Sequence, residues 1–383
     1  MKTDTKTIPF SKPYFSDKEI EALRGPIKSG WVTQGIELEK FEKSLSEIYK
    51  VNHAIAVNSG TSALHLSLLA HNIGPGDEVI CPSYTFIATA NSIKHSGATP
   101  IFTDVDINTS NMTPELTEKH ITKKTKAIMV VHQYGFPCEL NTFRELANKY
   151  KLLLVQDSAC AIGSTYENKP LSSWGDISCI SFHPRKIITT GEGGAVLTND
   201  EKIAAKIKGL RSHGVALSSQ NKKGFINVRF DQYHSIGFNY RLSELNAAVG
   251  NIQLQKLEEI LLKRRDIANK YLAAFATHKE TIAMTGITPG SNPNYQTFQI
   301  RVLSGKTKRD SLVSLLENAG ISIRTGIPPI HKELAYSELK EYKDISLPST
   351  ELLSEQGLCL PIYPELSAYD QEYIIQKVAE SIK

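Results

Sequence analysis

A chain of 383 residues, 40% hydrophobic and 22% charged, has room for two packed domains and the balance of an ordinary globular protein. A formal net charge of +4 is mild, and lysines are scattered among acids except at Lys123-Lys124 and Lys222-Lys223, so no nucleic-acid partner is expected. The five cysteines (81, 138, 160, 179, 359) lack any C-x-x-C spacing and no run approaches 18 apolar residues; disulfide frameworks, zinc knuckles, metal and membrane are not expected, and the default address is the cytoplasm.

Residues 1–15 read as an extended arm. Ser16 to Glu19 has capping-box spacing and opens a helix. After Trp31-Val-Thr33-Gln-Gly35 a second helix runs to Tyr49, with Leu38, Phe41, Leu45 and Ile48 on one face. His53–Val57 is a strand, and Asn58-Ser-Gly60-Thr61-Ser62 then opens a helix to about Ala70. A strand, a glycine turn and a hydroxyl-rich helix start can hold an anion on free amides; Thr61 and Ser62 could equally be plain caps. Asp77–Pro82 is the next strand, followed by Ser83-Tyr84-Thr85-Phe86 and a helix to about His95. An aromatic at a strand exit suits a flat ring ligand, and suits a core as well.

Thr99–Val105 is a third strand, and Thr113-Pro114 starts a helix. Asp104, Asp106, Asn108 and Glu115 imitate part of a calcium loop, but the glycine that loop requires is Thr109, so turn and cap chemistry is the expected use. Lys126–Val131 and Leu152–Val155 are strands flanking a helix from Leu140 to Tyr150. Ile177–Phe182 and Ala195–Leu197 complete a set of short apolar strands. Strand and helix alternate throughout, which predicts an α/β fold with a mostly parallel, helix-covered sheet. Gly191-Glu-Gly-Gly194 has no following helix signal and reads as a tight turn rather than a dinucleotide fingerprint.

Asp157 and Lys186 interrupt this pattern where strands end. An acid and a lysine leaving neighbouring strands can meet at one sheet edge, where open α/β folds bind ligands. Pyridoxal-phosphate chemistry needs that pair: the lysine forms a Schiff base, and the acid keeps the pyridine nitrogen protonated. Taken alone, the two residues are also compatible with a turn cap and a solvated lysine.

Beyond Asp200 a helix reaches Arg211, residues 215–234 form a polar loop, and a long helix spans about 243–275. A large domain over 1–250 and a smaller C-terminal α/β domain over 251–383 are expected, the latter with strands at Tyr295–Val302 and Ile321–Arg324 and helices at about 307–319 and 367–382.

Several motifs, in order, resemble the DegT/DnrJ/EryC1/StrS aminotransferases: S-G-T-x-A-L at 59–64, D-x-A-x-A-x-G-S at 157–164, GDIS at 175–178, S-F-H-x-x-K at 181–186, T-G-E-G-G at 190–194 and G-x-N-Y-R at 237–241. The resemblance implies fold-type I, with a mostly parallel seven-stranded sheet, and the cofactor pyridoxal 5′-phosphate. It implies Lys186 and Asp157 as catalytic residues, Phe86 stacked on the ring, and Gly60, Thr61, Ser62, Ser181 and Asn239 around the phosphate. Asn239 would reach the partner subunit's cofactor, implying a homodimer with shared sites. Thr33, Tyr84, Arg229 and His331 are the expected substrate contacts. L-glutamate and a nucleotide-linked keto-sugar, an NDP-4-keto-6-deoxyhexose, are the implied donor and acceptor, in amino-sugar and polysaccharide biosynthesis. Amination of a keto-inositol is the alternative, and a sugar dehydratase is disfavoured because those relatives carry histidine at the position of Lys186. Three positions depart from the family pattern: Gln156 replaces glutamate, Cys160 glutamine, and Ile327 tyrosine.

Overall fold

The computed structural model describes residues 7–215 and 232–382. Its centre is a seven-stranded sheet in the order β1 (His53–Val57), β9 (Gly194–Thr198), β8 (Ile177–Ser181), β5 (Leu153–Asp157), β4 (Thr125–Val131), β2 (Glu78–Pro82), β3 (Thr99–Thr103). Only β9 runs antiparallel to its neighbours, so the carboxyl ends of the other six share one edge. The central strands are buried on both faces, as near-continuous apolar runs such as Ala127–Val131 require.

Helices cover both faces of the sheet. Gly60–Ala70 (α3) lies over β8 and β9, and its residues from Ser62 to Leu68 are all buried, which is why it shows no polar stripe. Ile36–Tyr49 (α2) packs on the other face with Phe41 and Leu45 fully buried. The capping box at Ser16 forms as the spacing predicts: Glu19 Oε2 accepts from the Ser16 amide at 2.9 Å. The calcium-like acids are caps and turn formers. Asp104 Oδ1 accepts from the Thr350 amide and hydroxyl, and Asp106 Oδ1 from the amides of Asn108 and Thr109.

A smaller antiparallel sheet has the order β10 (Ile282–Met284), β12 (Phe298–Val302), β14 (Gly357–Leu360), β13 (Arg324–Thr325). A three-stranded ribbon joins β6 (Thr165–Tyr166), β7 (Lys169–Pro170) and β11 (Ser291–Asn292). One expectation needs correction. The single helix over 243–275 is two, Glu244–Gln255 and Leu257–Phe275, interrupted at Lys256. The N-terminal arm also joins the C-terminal unit, since Ile8 pairs with Ile321 in a parallel bridge. Among the described residues, no helix is long and apolar enough to cross a membrane.

Candidate active site

The site forms where β1, β5 and β8 end. Asp157 is the last residue of β5 and is 6% exposed. Its Oδ2 accepts from Thr89 Oγ1 at 2.8 Å and its Oδ1 from the Ala159 amide at 3.1 Å. Burial pushes this carboxyl above its usual range, opposed by those two bonds and by the charge of Lys186. A buried carboxylate so placed is stabilised by a further cationic partner.

Lys186 follows β8 on a strap held at both ends. Phe182 N bonds Gly193 O, Thr190 N bonds Phe182 O, and Gln296 Nε2 bonds Arg185 O. The Lys186 amine donates to Cys160 Sγ at 3.1 Å. Gly191, at φ +84, turns the chain from this strap into β9.

At the end of β1, helix α3 begins with Ser59 as its cap: Ser59 Oγ accepts from the Ser62 amide, and Ser59 O from the Ala63 amide. The amides of Gly60 and Thr61 precede any intrahelical acceptor and make a positive pole. A Cβ at Gly60 would stand 2.8 Å from Ser181 Cβ, so only glycine lets helix and strand end meet here. The Ser62 hydroxyl donates to Asn58 Oδ1 at 2.7 Å, while Ser181 Oγ accepts weakly from the His183 amide. Phe86, at the entrance to Ala88–His95 (α4), is 67% exposed, which leaves its ring face open beside the strand ends. Asn239 is exposed, and its carbonyl sits on Asn58 Nδ2 at 3.4 Å.

Two expected substrate residues are placed elsewhere. Tyr84 is fully buried, its hydroxyl bonded to Tyr134 at 2.8 Å and to Gln299 Nε2 at 2.7 Å, so it ties the end of β2 to the smaller sheet and offers nothing to a ligand. His331 is likewise buried, with Nδ1 on Ser83 Oγ at 2.8 Å and Nε2 on Glu351 at 3.3 Å. Burial lowers its pKa, so it serves as a neutral clasp between the two units. Thr33 is exposed on its loop. Arg229, Lys222 and Lys223 lie outside the described residues.

Three residues that the sequence reading overlooked organise the site. Thr89, one helical turn past Phe86, holds Asp157. Asn294, fully buried, clamps the turn after Asp157 through Cys160 O at 2.9 Å and Ile162 O at 2.8 Å. Glu244 caps α2 from another helix, accepting from the Glu37 amide at 2.6 Å and the Leu38 amide at 3.1 Å, and so fixes the loop that carries Thr33. The spacing from Phe86 to Thr89 was available as a signal; the other two contacts span more than a hundred residues and left none. Among the described residues no cluster of three or more His, Cys, Asp or Glu could hold a metal ion.

These parts fit a phosphorylated pyridine aldehyde. The helix pole would receive the anion, the exposed phenyl would be free to stack on a ring, the buried carboxylate would accept from a ring N–H, and the amine would meet the aldehyde. Fold and site together define a pyridoxal-phosphate-dependent aminotransferase. The comparisons agree. The model of the DegT/DnrJ/EryC1/StrS aminotransferase family matches residues 13–379, and the chain belongs to that family. It is 33% identical over 379 residues to the spore coat polysaccharide biosynthesis protein SpsC of Bacillus subtilis, covering 98% of this chain and 97% of that one. Helicobacter pylori PseC, an aminotransferase of pseudoaminic acid biosynthesis, is 30% identical with a TM-score of 0.91, covering 98% of this chain and 99% of that one. The Streptococcus pneumoniae putative sugar aminotransferase Spr1654, solved in its PMP form, is 27% identical with a TM-score of 0.90, covering 98% of each chain. The enzyme is a sugar aminotransferase that uses pyridoxal phosphate.

Proposed function

We propose that this enzyme moves the amino group of L-glutamate to a keto group of a nucleotide-linked sugar, an NDP-4-keto-6-deoxyhexose, for amino-sugar or polysaccharide biosynthesis. The observation that carries the reading is the convergence of Lys186, Asp157, Phe86 and the start of α3 at one sheet edge. The relatives named for spore coat polysaccharide and pseudoaminic acid biosynthesis support the sugar class.

Bound pyridoxal phosphate supplies an aldehyde for the amine and a ring that accepts the electrons of the substrate C–H bond. The chain's own residues do the rest. Lys186 Nζ takes the proton from the donor's carbon and returns it at the neighbouring position, as general base and then general acid. Asp157, 6% exposed, would hold a negative charge against the cofactor's protonated ring nitrogen. Thr89 and the Ala159 amide aim that charge. Phe86 would orient the ring, and the Gly60 and Thr61 amides, with the hydroxyls of Thr61, Ser62 and Ser181, would receive the phosphate. Asn239 completes the phosphate site of a second copy. Tyr233 and Ile236, 61% and 93% exposed just before it, are apolar surface that such a copy would cover.

Two measurements test the reading. Borohydride treatment of the cofactor-loaded protein followed by peptide mapping should label Lys186; a label on another lysine refutes the assignment. A panel of nucleotide-linked keto-sugars, free keto-sugars and keto-inositols, with mass detection of aminated product, should show reaction with the nucleotide-linked class. Equal turnover of free and linked sugars would overturn the acceptor, and preference for the ring ketones would replace it with a keto-inositol.

A further inference from the structure

Four of the five cysteines are buried; Cys160 is half-buried. The bond from Lys186 Nζ to Cys160 Sγ is the one hydrogen bond that this amine makes among the described residues. The thiol is carried by a rigid turn. Its first residues hold Asp157 through the Ala159 amide, and the Ala161 amide bonds Ser158 O. Asn294 grips the carbonyls on either side of Ala161, and its own Oδ1 is held by the Gln296 amide at 2.8 Å. Gly135 packs so closely on this clamp that a Cβ there would come 1.8 Å from Asn294 Oδ1. Acid and thiol are therefore fixed by one piece of backbone.

We propose that Cys160 is a positioning residue for Lys186. Whenever the amine is not bonded to cofactor, Sγ holds it at the place from which it adds to the aldehyde carbon, with loss of water, and from which it moves the substrate proton. A lysine side chain has a flexible four-carbon stem, and an amine held in one place reacts faster than one that wanders. A thiol suits this task. Its sulfur is a weak acceptor, so it restrains the amine less tightly than a carboxylate would. The inference rests on the cofactor role of Lys186 proposed above, and its test separates the two.

The experiment follows pyridoxal phosphate capture by the cofactor-free full-length protein, read as growth of the visible band in stopped flow. The wild type is compared with Cys160→Ala and Cys160→Ser. Pyridoxamine phosphate, which fits the same site but forms no bond to lysine, gives the equilibrium control. Loss of one neutral hydrogen bond should slow capture by Cys160→Ala about five- to tenfold. Cys160→Ser keeps a hydroxyl acceptor and should stay within about twofold of wild type. Pyridoxamine phosphate affinity and the thermal midpoint should be unchanged in both. Capture by Cys160→Ala at the wild-type rate overturns the proposal. So does an equal loss of pyridoxamine phosphate affinity, which would mean that Cys160 serves the cofactor's pocket or the fold rather than the amine. Borohydride labelling away from Lys186 in the wild type would bring down the underlying reading instead, and is scored on its own.

Discussion

Asp157→Asn should change stability and activity in opposite directions. In the cofactor-free protein the carboxylate is buried and receives two hydrogen bonds, and burial raises its pKa. An acid whose folded pKa is raised favours the fold most below its unfolded pKa and loses that advantage as pH rises through the folded value. Near neutral pH the ionised group therefore costs stability. Asparagine removes the charge yet keeps both contacts. Its oxygen accepts from the Ala159 amide, and its NH2 can face Thr89 Oγ1, whose proton then turns to Thr85 Oγ1, 3.1 Å away. Shedding a partly compensated buried charge should add about 1–2 kcal/mol. For a chain of this size that is roughly 1–3 °C in the thermal midpoint. With cofactor bound the sign reverses, because the ring nitrogen loses its counter-charge. The rate should then fall about a hundredfold or more. Thermal unfolding of both forms with and without pyridoxal phosphate, beside half-reaction rates with glutamate, checks all three arms. A variant less stable than wild type without cofactor, or one with a near-wild-type rate, would refute the account of Asp157.

His132 is fully buried, with Nε2 donating to Gln156 Oε1 at 3.0 Å and Nδ1 accepting from the Cys138 amide at 3.1 Å, and burial holds its pKa down to about 4. Its folded pKa lies below the unfolded value near 6.5, so stability should fall as pH drops from about 6.5 to 4, by roughly 3 kcal/mol in all. Denaturant midpoints across that range for wild type and His132→Gln check this, and equal slopes would refute it. Gln156→Glu should destabilise by about 1–3 kcal/mol, since Gln156 Nε2 donates to Leu171 O at 3.0 Å and a carboxylate cannot; an unchanged urea midpoint near neutral pH would count against it. Glu244→Ala should cost about 1–2 kcal/mol by uncapping α2, read as a lower thermal midpoint, and should loosen the 31–35 loop, read as faster amide exchange there. Mixed dimers of Lys186→Ala with an inactive Asn239 variant should regain part of the activity, because one site then carries both lesions and the other neither. No recovery in confirmed mixed dimers would place Asn239 in its own subunit's site.

The sequence by itself determined the parallel sheet, the strand-end acid and lysine, the glycine turn at Gly60 and the family to which the chain belongs. The strands are runs of apolar residues closed by one polar residue, and the family shows in short motifs in order; such short-range patterns survive without coordinates. Tertiary structure decided which of the residues beside those patterns face the ligand. Ser83 to Phe86 leave β2 together, yet Tyr84 turns inward to Gln299 and Phe86 outward to solvent, because a side-chain amide 215 residues away, donating to the Tyr84 hydroxyl, completes only one of the two environments. His331 looked like a substrate contact until Ser83 and Glu351 were seen to occupy both of its nitrogens. Cys160 looked like a mere departure from pattern until the fold set its sulfur beside the lysine. A buried polar group takes its role from whichever partners satisfy it, and the chain brings those partners together only when it folds.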